Sequence, residues 1–293
     1  MTARFGQVVT AMVTPFDTDG ALDLDAVATL ADWLVRNGSD GLVLCGTTGE
    51  SPVLSDSEEV ALTRVVRETV EVPLLLGTGS NDTTYAVDAT RRSAELGVDG
   101  VLVVTPYYNR PSQAGLEAHF RAVASATDLP VVLYDIPVRT GRKLSTELMV
   151  RLCSDVANIV AIKDAAGSPA ETARLIDATG PQVEVYCGDD ALTLPLLAVG
   201  AVGVISVASH WVGRQMKDLI VSFLAGDISA AQRINAALIP SYEFEGTDDA
   251  PNPIPTKAML RVLGLPVGQC RMPLGPAPDW VDAAAREVLA GLD

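Results

Sequence analysis

Short, continuously apolar and β-branched runs alternate along most of the chain with longer amphipathic stretches. The runs fall at 8–15, 41–46, 73–79, 100–106, 130–137, 159–164, 183–188 and 201–208. Unbroken apolar character, without alternation, is the pattern of strands buried on both faces. The amphipathic stretches fall at 23–37, 55–70, 82–96, 112–127, 145–154, 169–179, 192–199 and 211–225, and they predict helices. Ser55-Asp56-Ser57-Glu58 has the form of a capping box with acids in the first turn. Gly38, Gly97, Gly180, Gly200 and Gly226 stand where a left-handed residue would end a helix.

Eight strands alternating with eight helices predict an α/β protein of the closed (β/α)8 TIM-barrel type. An open, doubly wound sheet would be expected to carry a glycine-rich phosphate loop after an early strand, and neither GxGxxG nor GxxxxGK[ST] occurs. The rhythm stops near residue 226. Stretches at 228–238, 256–263 and 277–292 read as three further helices. The expected organisation is a barrel over 1–226 and a C-terminal helical appendix over 227–293.

Composition narrows the function classes. Apolar residues at 48% suffice for a large core, and charged residues at 20% argue against disorder. A net charge of −16 repels a phosphate backbone, so nucleic acid is a poor partner. An anionic substrate would need positive groups placed locally against that field. Cys45, Cys153, Cys187 and Cys270 form no CxxC pair and read as reduced thiols. His119 and His210 lack ligand-like spacing and read as structural or surface residues; no metal site is expected. The first residues lack a secretory h-region. The most apolar stretch, 194–208, is broken by Gly200 and Gly203 and is shorter than the ~18 residues of a membrane span. A cytoplasmic protein without a membrane partner is expected.

In such a barrel the chemistry gathers at the C-terminal ends of the strands. Lysine is scarce: Lys143, Lys163, Lys217 and Lys257. Three lie in a loop or in helical stretches, where a solvated charge is expected. Lys163 instead ends the apolar run Ile159-Val160-Ala161-Ile162, where desolvation favours the free amine as a nucleophile toward a carbonyl. A structural pairing with Asp164 or another strand-end acid is the alternative on position alone. Tyr134 ends the preceding run, about 4.8 Å away across neighbouring strands, and is either a proton shuttle or a packed ring. In Gly46-Thr47-Thr48-Gly49-Glu50-Ser51 the glycines let backbone N–H groups approach an anion and the threonines add hydroxyls; a plain tight turn is the alternative. Arg139 follows the fifth run and can clamp a carboxylate bidentately, or remain a surface arginine.

GTTGES (46–51), TPYYNRP (105–111), LYDIP (133–137), RTG (139–141), IKDA (162–165), GDD (188–190), GVISV (203–207) and PNPIP (251–255) together resemble the 4-hydroxy-tetrahydrodipicolinate synthase family. The resemblance runs in order over essentially the whole chain. The tyrosine and lysine segments are shared with the wider N-acetylneuraminate lyase superfamily of class I aldolases. The resemblance implies Schiff-base condensation of pyruvate with L-aspartate 4-semialdehyde, in lysine and diaminopimelate biosynthesis. Lys163 would form the imine, Tyr134 would exchange protons, and Thr47 with Tyr108 would relay them. Thr48, Ile205 and Gly188 would lie at the pyruvate, and Arg139 would grip the semialdehyde carboxylate. No cofactor beyond the covalent imine is implied. Because the family's counterpart of Tyr108 reaches into a neighbouring subunit, a homodimer is the minimal unit expected, and a tetramer is common. A lysine-effector cleft would involve Ser51, Asp56, Glu59, Asn81, Tyr85 and Tyr107.

Two departures qualify this. Asp135 stands where many relatives have asparagine, which is expected to alter what lies behind the site without abolishing activity. Asp56 and Glu59 stand where inhibited relatives can carry histidine, and Tyr85 where they can carry an acid, so lysine feedback stays open. Two other readings remain: a lyase of the same superfamily acting on sialic acid or a 2-keto-3-deoxy sugar acid, and a non-catalytic barrel that binds a 2-oxo acid. Arg139 discriminates against the first, and the joint presence of Lys163, Tyr134, Thr47 and Tyr108 against the second.

Overall fold

The structure, a computed structural model, describes residues 3–292. Its eight strands are β1 (Val8–Ala11), β2 (Gly41–Leu44), β3 (Leu74–Gly77), β4 (Gly100–Val104), β5 (Val131–Asp135), β6 (Ile159–Asp164), β7 (Glu184–Cys187) and β8 (Gly203–Ser206). They close into a barrel in the order β1-β2-β3-β4-β5-β6-β7-β8. Every predicted run contains its strand. Except for β6, which fills its run, the strands are shorter than the runs, mostly at their C-terminal ends, because there the chain leaves the ladder to build loops.

The helices are α1 (Leu24–Arg36), α2 (Asp56–Thr69), α3 (Thr83–Ser93), α4 (Gln113–Ala124), α5 (Pro137–Thr140), α6 (Thr146–Asp155), α7 (Pro169–Thr179), α8 (Thr193–Ala198), α9 (Ser209–Leu224), α10 (Ile228–Phe244), α11 (Ile254–Val262) and α12 (Val281–Ala290). Seven of these starts are set by short polar side chains: Asp23, Ser55, Asp82, Ser112, Ser145, Ser168 and Asp227 each accept a hydrogen bond from an early backbone N–H. Ser55 and Glu58 complete the capping box. Gly38 shows why a stop needs glycine: its φ is +110°, and a Cβ there would lie 2.7 Å from the Arg214 nitrogen.

Two compact units are resolved by their internal contacts. One comprises the chain through Gln7 with Pro73–Ile205, the other Val8–Val72 with Ser206 onward. In the first, β3 to β8 pair in parallel, with Val104 opposite Tyr134, Tyr134 opposite Lys163 and Lys163 opposite Tyr186. Its core packs Phe120, Leu116 and Leu148 around Val101, Leu133 and Ile162. In the second, β1 pairs with β2, and α11 and α12 bury Ile254, Met259 and Val281 with Phe244.

Two sequence expectations are corrected. The helix expected to end at 238 continues through Pro240 to Phe244. The interruption is outweighed by tertiary burial: Ser241, Tyr242 and Phe244 are buried, Trp211 Nε1 donates to Ser241 Oγ at 3.0 Å, and Trp211 meets Phe244 edge to face. The second correction is Lys257. It is not a solvated charge; it is completely buried, because α11 presents it on the same face as Ile254 and Ala258.

Candidate active site

Lys163 and Tyr134 are register partners on adjacent strands, so their side chains leave the sheet on the same face. Both are 5% exposed. Lys163 Nζ sits 4.3 Å from the centroid of the Tyr134 ring. No ion pair to Lys163 exists among the described residues. The alternative pairing with Asp164 is absent because that carboxylate is committed elsewhere. Thr172 Oγ1 donates to its Oδ2 at 2.6 Å, and the Ala166 N–H to its Oδ1 at 2.9 Å. Lys163 is therefore a buried primary amine with a ring face beside it and no counter-charge.

Gly188 gives this amine its room. A Cβ at 188 would lie 3.0 Å from both Cγ and Cε of Lys163. Gly188 is held to β6 by its N–H bond to the Asp164 carbonyl at 2.8 Å. Ile205 is buried at the end of β8. Arg139 is exposed on α5, just beyond Tyr134 in sequence, and has no ion-pair partner among the described residues, so its guanidinium is free to meet an anion.

Asp135 explains how that arginine segment is fixed. It is 1% exposed and accepts the Leu144 N–H at 3.0 Å and Lys143 Nζ at 3.2 Å. Burial pushes its carboxyl up, against the pull of the Leu144 N–H and the Lys143 ammonium. The aspartate thus ties the segment after Arg139 back to β5, away from the Tyr134 face. Tyr108 lies in a loop with φ +71° and is 89% exposed, its N–H bonded to the Thr140 carbonyl at 3.2 Å. Tyr107 and Asn81 are drawn together through Asn109, whose Nδ2 donates to the Asn81 carbonyl at 3.0 Å. Tyr85 is exposed on α3, where the Arg92 guanidinium lies 5.9 Å from its ring centroid.

The second unit carries the Gly46–Ser51 loop. Thr47 is half-buried and Thr48 buried. Thr14 Oγ1 donates to the Gly49 carbonyl at 2.6 Å, and Asn252 Nδ2 donates to Thr48 Oγ1 at 3.0 Å. Ser51 opens a 3-10 turn, and Asp56 and Glu59 follow in the first turn of α2, the former exposed and the latter buried.

Glu50 is the residue in this loop whose role the sequence did not disclose. It adopts a left-handed backbone, φ +58°, and is 2% exposed. Its Oε1 lies 2.7 Å from Lys257 Nζ, and its Oε2 accepts the Arg271 N–H at 2.8 Å. Lys257 Nζ also donates to the Gln269 carbonyl at 2.9 Å and sits 4.2 Å from the Phe16 ring centroid. Burial pulls the Lys257 ammonium down and the Glu50 carboxylate opposes that shift. The signal available in sequence was a lysine inside the apolar stripe of an amphipathic helix.

Both histidines are buried. His119 is buried on α4 with Nδ1 3.0 Å from Thr83 Oγ1, and burial pushes it down to about 4. His210 Nε2 accepts the Val13 N–H at 3.2 Å. All four cysteines are free, with Cys153 half-buried and the others buried. No helix among the described residues is long and apolar enough to cross a membrane.

A model of the dihydrodipicolinate synthetase family matches residues 4–290. The chain is 50% identical over 291 residues to the 4-hydroxy-tetrahydrodipicolinate synthase of Thermosynechococcus vestitus, covering 98% of this chain and 97% of the relative. Among solved structures it is similar to dihydrodipicolinate synthase of Bacillus anthracis, with TM-score 0.94, 44% identity and 99% of each chain covered. The enzyme of Cyanidioschyzon merolae with lysine bound gives TM-score 0.94 and 44% identity over 98% of each chain.

Proposed function

This chain belongs to the dihydrodipicolinate synthetase family, and from that premise we propose that it condenses pyruvate with L-aspartate 4-semialdehyde to 4-hydroxy-tetrahydrodipicolinate through an imine on Lys163. The observation that carries the reading is the buried, unpaired amine of Lys163 against the Tyr134 ring. An unpaired amine at a strand end has no structural task that would use its charge, and a class I aldolase needs such a nucleophile.

Lys163 Nζ attacks the ketone carbon of pyruvate, and loss of water leaves the imine. The protonated imine acts as the electron sink, so loss of a methyl proton gives the enamine without an organic cofactor. The enamine carbon then adds to the aldehyde carbon of the semialdehyde, whose oxygen takes up a proton. The substrate's own amine displaces Lys163 from the imine carbon, closing the ring and regenerating the free lysine. Tyr134 is assigned the proton exchange, with Thr47 and Tyr108 relaying. Thr48 is assigned the pyruvate carboxylate, with Gly188 and Ile205 bounding the adduct, and Arg139 the semialdehyde carboxylate. Arg139 also favours this acceptor over a neutral sugar chain. The exposed, left-handed Tyr108 is assigned to the site of a second copy, making a dimer the working unit.

The test is borohydride reduction in the presence of pyruvate, followed by intact-mass measurement and peptide mapping. The expected result is one stable adduct per chain on Lys163, with turnover on aspartate semialdehyde and not on sugar aldehydes. A folded protein that yields no adduct would overturn the Schiff-base mechanism.

A further inference from the structure

A hydrogen-bond relay in the second unit ends at a hydroxyl whose proton has no acceptor among the described residues. Thr256 Oγ1, on the first turn of α11, donates to Asn252 Oδ1 at 3.3 Å. Asn252 Nδ2 donates to Thr48 Oγ1 at 3.0 Å. The amide nitrogen can only donate, so Thr48 Oγ1 is the acceptor there and its own O–H must be spent elsewhere. No hydrogen bond donated by Thr48 exists among the described residues, although Thr48 is only 4% exposed. A hydroxyl buried to that degree normally donates as well as accepts, and one left undonated costs free energy unless a ligand supplies the acceptor.

The relay is built to hold its direction. Thr256 is fully buried, so its hydroxyl has no water to turn toward. Asn252 sits four residues before Thr256, and a Cβ at Gly246 would come within 3.0 Å of the Asn252 nitrogen, so glycine leaves the room that Asn252 occupies. The loop bearing Thr48 is fixed separately by Glu50 with Lys257 and by Thr14 with Gly49. The relay is therefore not needed to hold the backbone; what it controls is the rotation of one hydroxyl.

We propose that Asn252 and Thr256 are positioning residues that lock the Thr48 hydroxyl as a hydrogen-bond donor toward the carboxylate of the 2-oxo acid. The inference rests on the assignment of Thr48 to the pyruvate carboxylate. It predicts that selectivity for an anionic 2-oxo acid is set partly from the C-terminal segment, by residues that do not touch substrate. A donor fixed in advance loses no rotational freedom on binding, which improves affinity without a new contact.

The measurement is the pyruvate concentration giving half-maximal borohydride trapping, compared among wild type, Asn252→Leu and Thr256→Val. Asn252→Leu should raise it about tenfold, the worth of one hydrogen bond to a charged group. Thr256→Val should raise it about threefold, since the amide is retained but freed to rotate. Trapping at saturating pyruvate should remain complete, and the KM for the semialdehyde should stay within about twofold. In a Thr48→Val background Asn252→Leu should have no further effect. An unchanged half-trapping concentration in the variants, or an additive effect in the Thr48→Val background, would overturn the relay while leaving the imine reading intact. A wild type that traps no pyruvate would overturn both. Should Asn252→Leu fail to fold, Thr256→Val alone decides, because it preserves volume.

Discussion

The end of β6 and the buried face of α11 each hold a lysine out of water, and the two are a controlled comparison. Lys163 is 5% exposed and Lys257 is fully buried. Each Nζ lies over an aromatic ring, 4.3 Å from the Tyr134 centroid and 4.2 Å from the Phe16 centroid. They differ in the counter-charge. Lys257 has the Glu50 carboxylate at 2.7 Å, whereas Asp164, next to Lys163, is occupied by Thr172 and Ala166. Burial alone therefore does not separate the two lysines. A carboxylate at contact distance makes Lys257 a strut; in the mechanism proposed above, the lack of one is what leaves Lys163 free to act as the nucleophile.

The largest effect should come from Lys163→Ala. Pyruvate trapping should fall to background by intact mass, with little change in the unfolding midpoint because no opposite charge is stranded. Full trapping on Lys257 instead would abolish the distinction between the two lysines. Lys257→Met should act in the opposite sense, lowering stability by about 3–5 kcal/mol in urea unfolding because Glu50 is left buried and uncompensated. Adding Glu50→Gln should recover most of that loss; a double variant no more stable than the single one would show that the charges do not act as a pair.

Arg139→Ala should be smaller and confined to catalysis. The expected loss is about ten- to a hundredfold in kcat/KM for the semialdehyde, with pyruvate trapping unchanged. Equal loss in both steps would make Arg139 structural. The smallest effect belongs to acid sensitivity near Lys257. The hydrogen-bonded Arg271 guanidinium holds Glu58 at about 2, down from 4.5. The folded value lies below the unfolded one, so this contribution is present above pH ~4.5 and is lost as pH falls through about 2. With the Arg271 and Glu58 side chains 20% and 24% exposed, Glu58→Gln should flatten the acid limb of the stability curve by no more than about 1 kcal/mol. No flattening would assign acid unfolding to other carboxylates.

The sequence by itself determined the strands, the helix starts that a Ser or Asp caps and the pairing of Tyr134 with Lys163, because these depend on local information. An unbroken apolar run specifies a buried strand, a Ser or Asp before a periodic stretch specifies a cap, and consecutive strands of a parallel barrel are neighbours. α5 was hidden because one turn is too short to show a period, and α10 outran its expected end because burial beyond Pro240 prevailed over local propensity. Tertiary structure alone decided which charges are paired. Lys257 and Glu50, and Asn252 and Thr48, are separated by about two hundred residues, and no periodicity records who meets whom at that range. Yet that meeting settles whether a buried amine is neutralised and which way a hydroxyl points, because inside a protein the nearest partner, not water, fixes both.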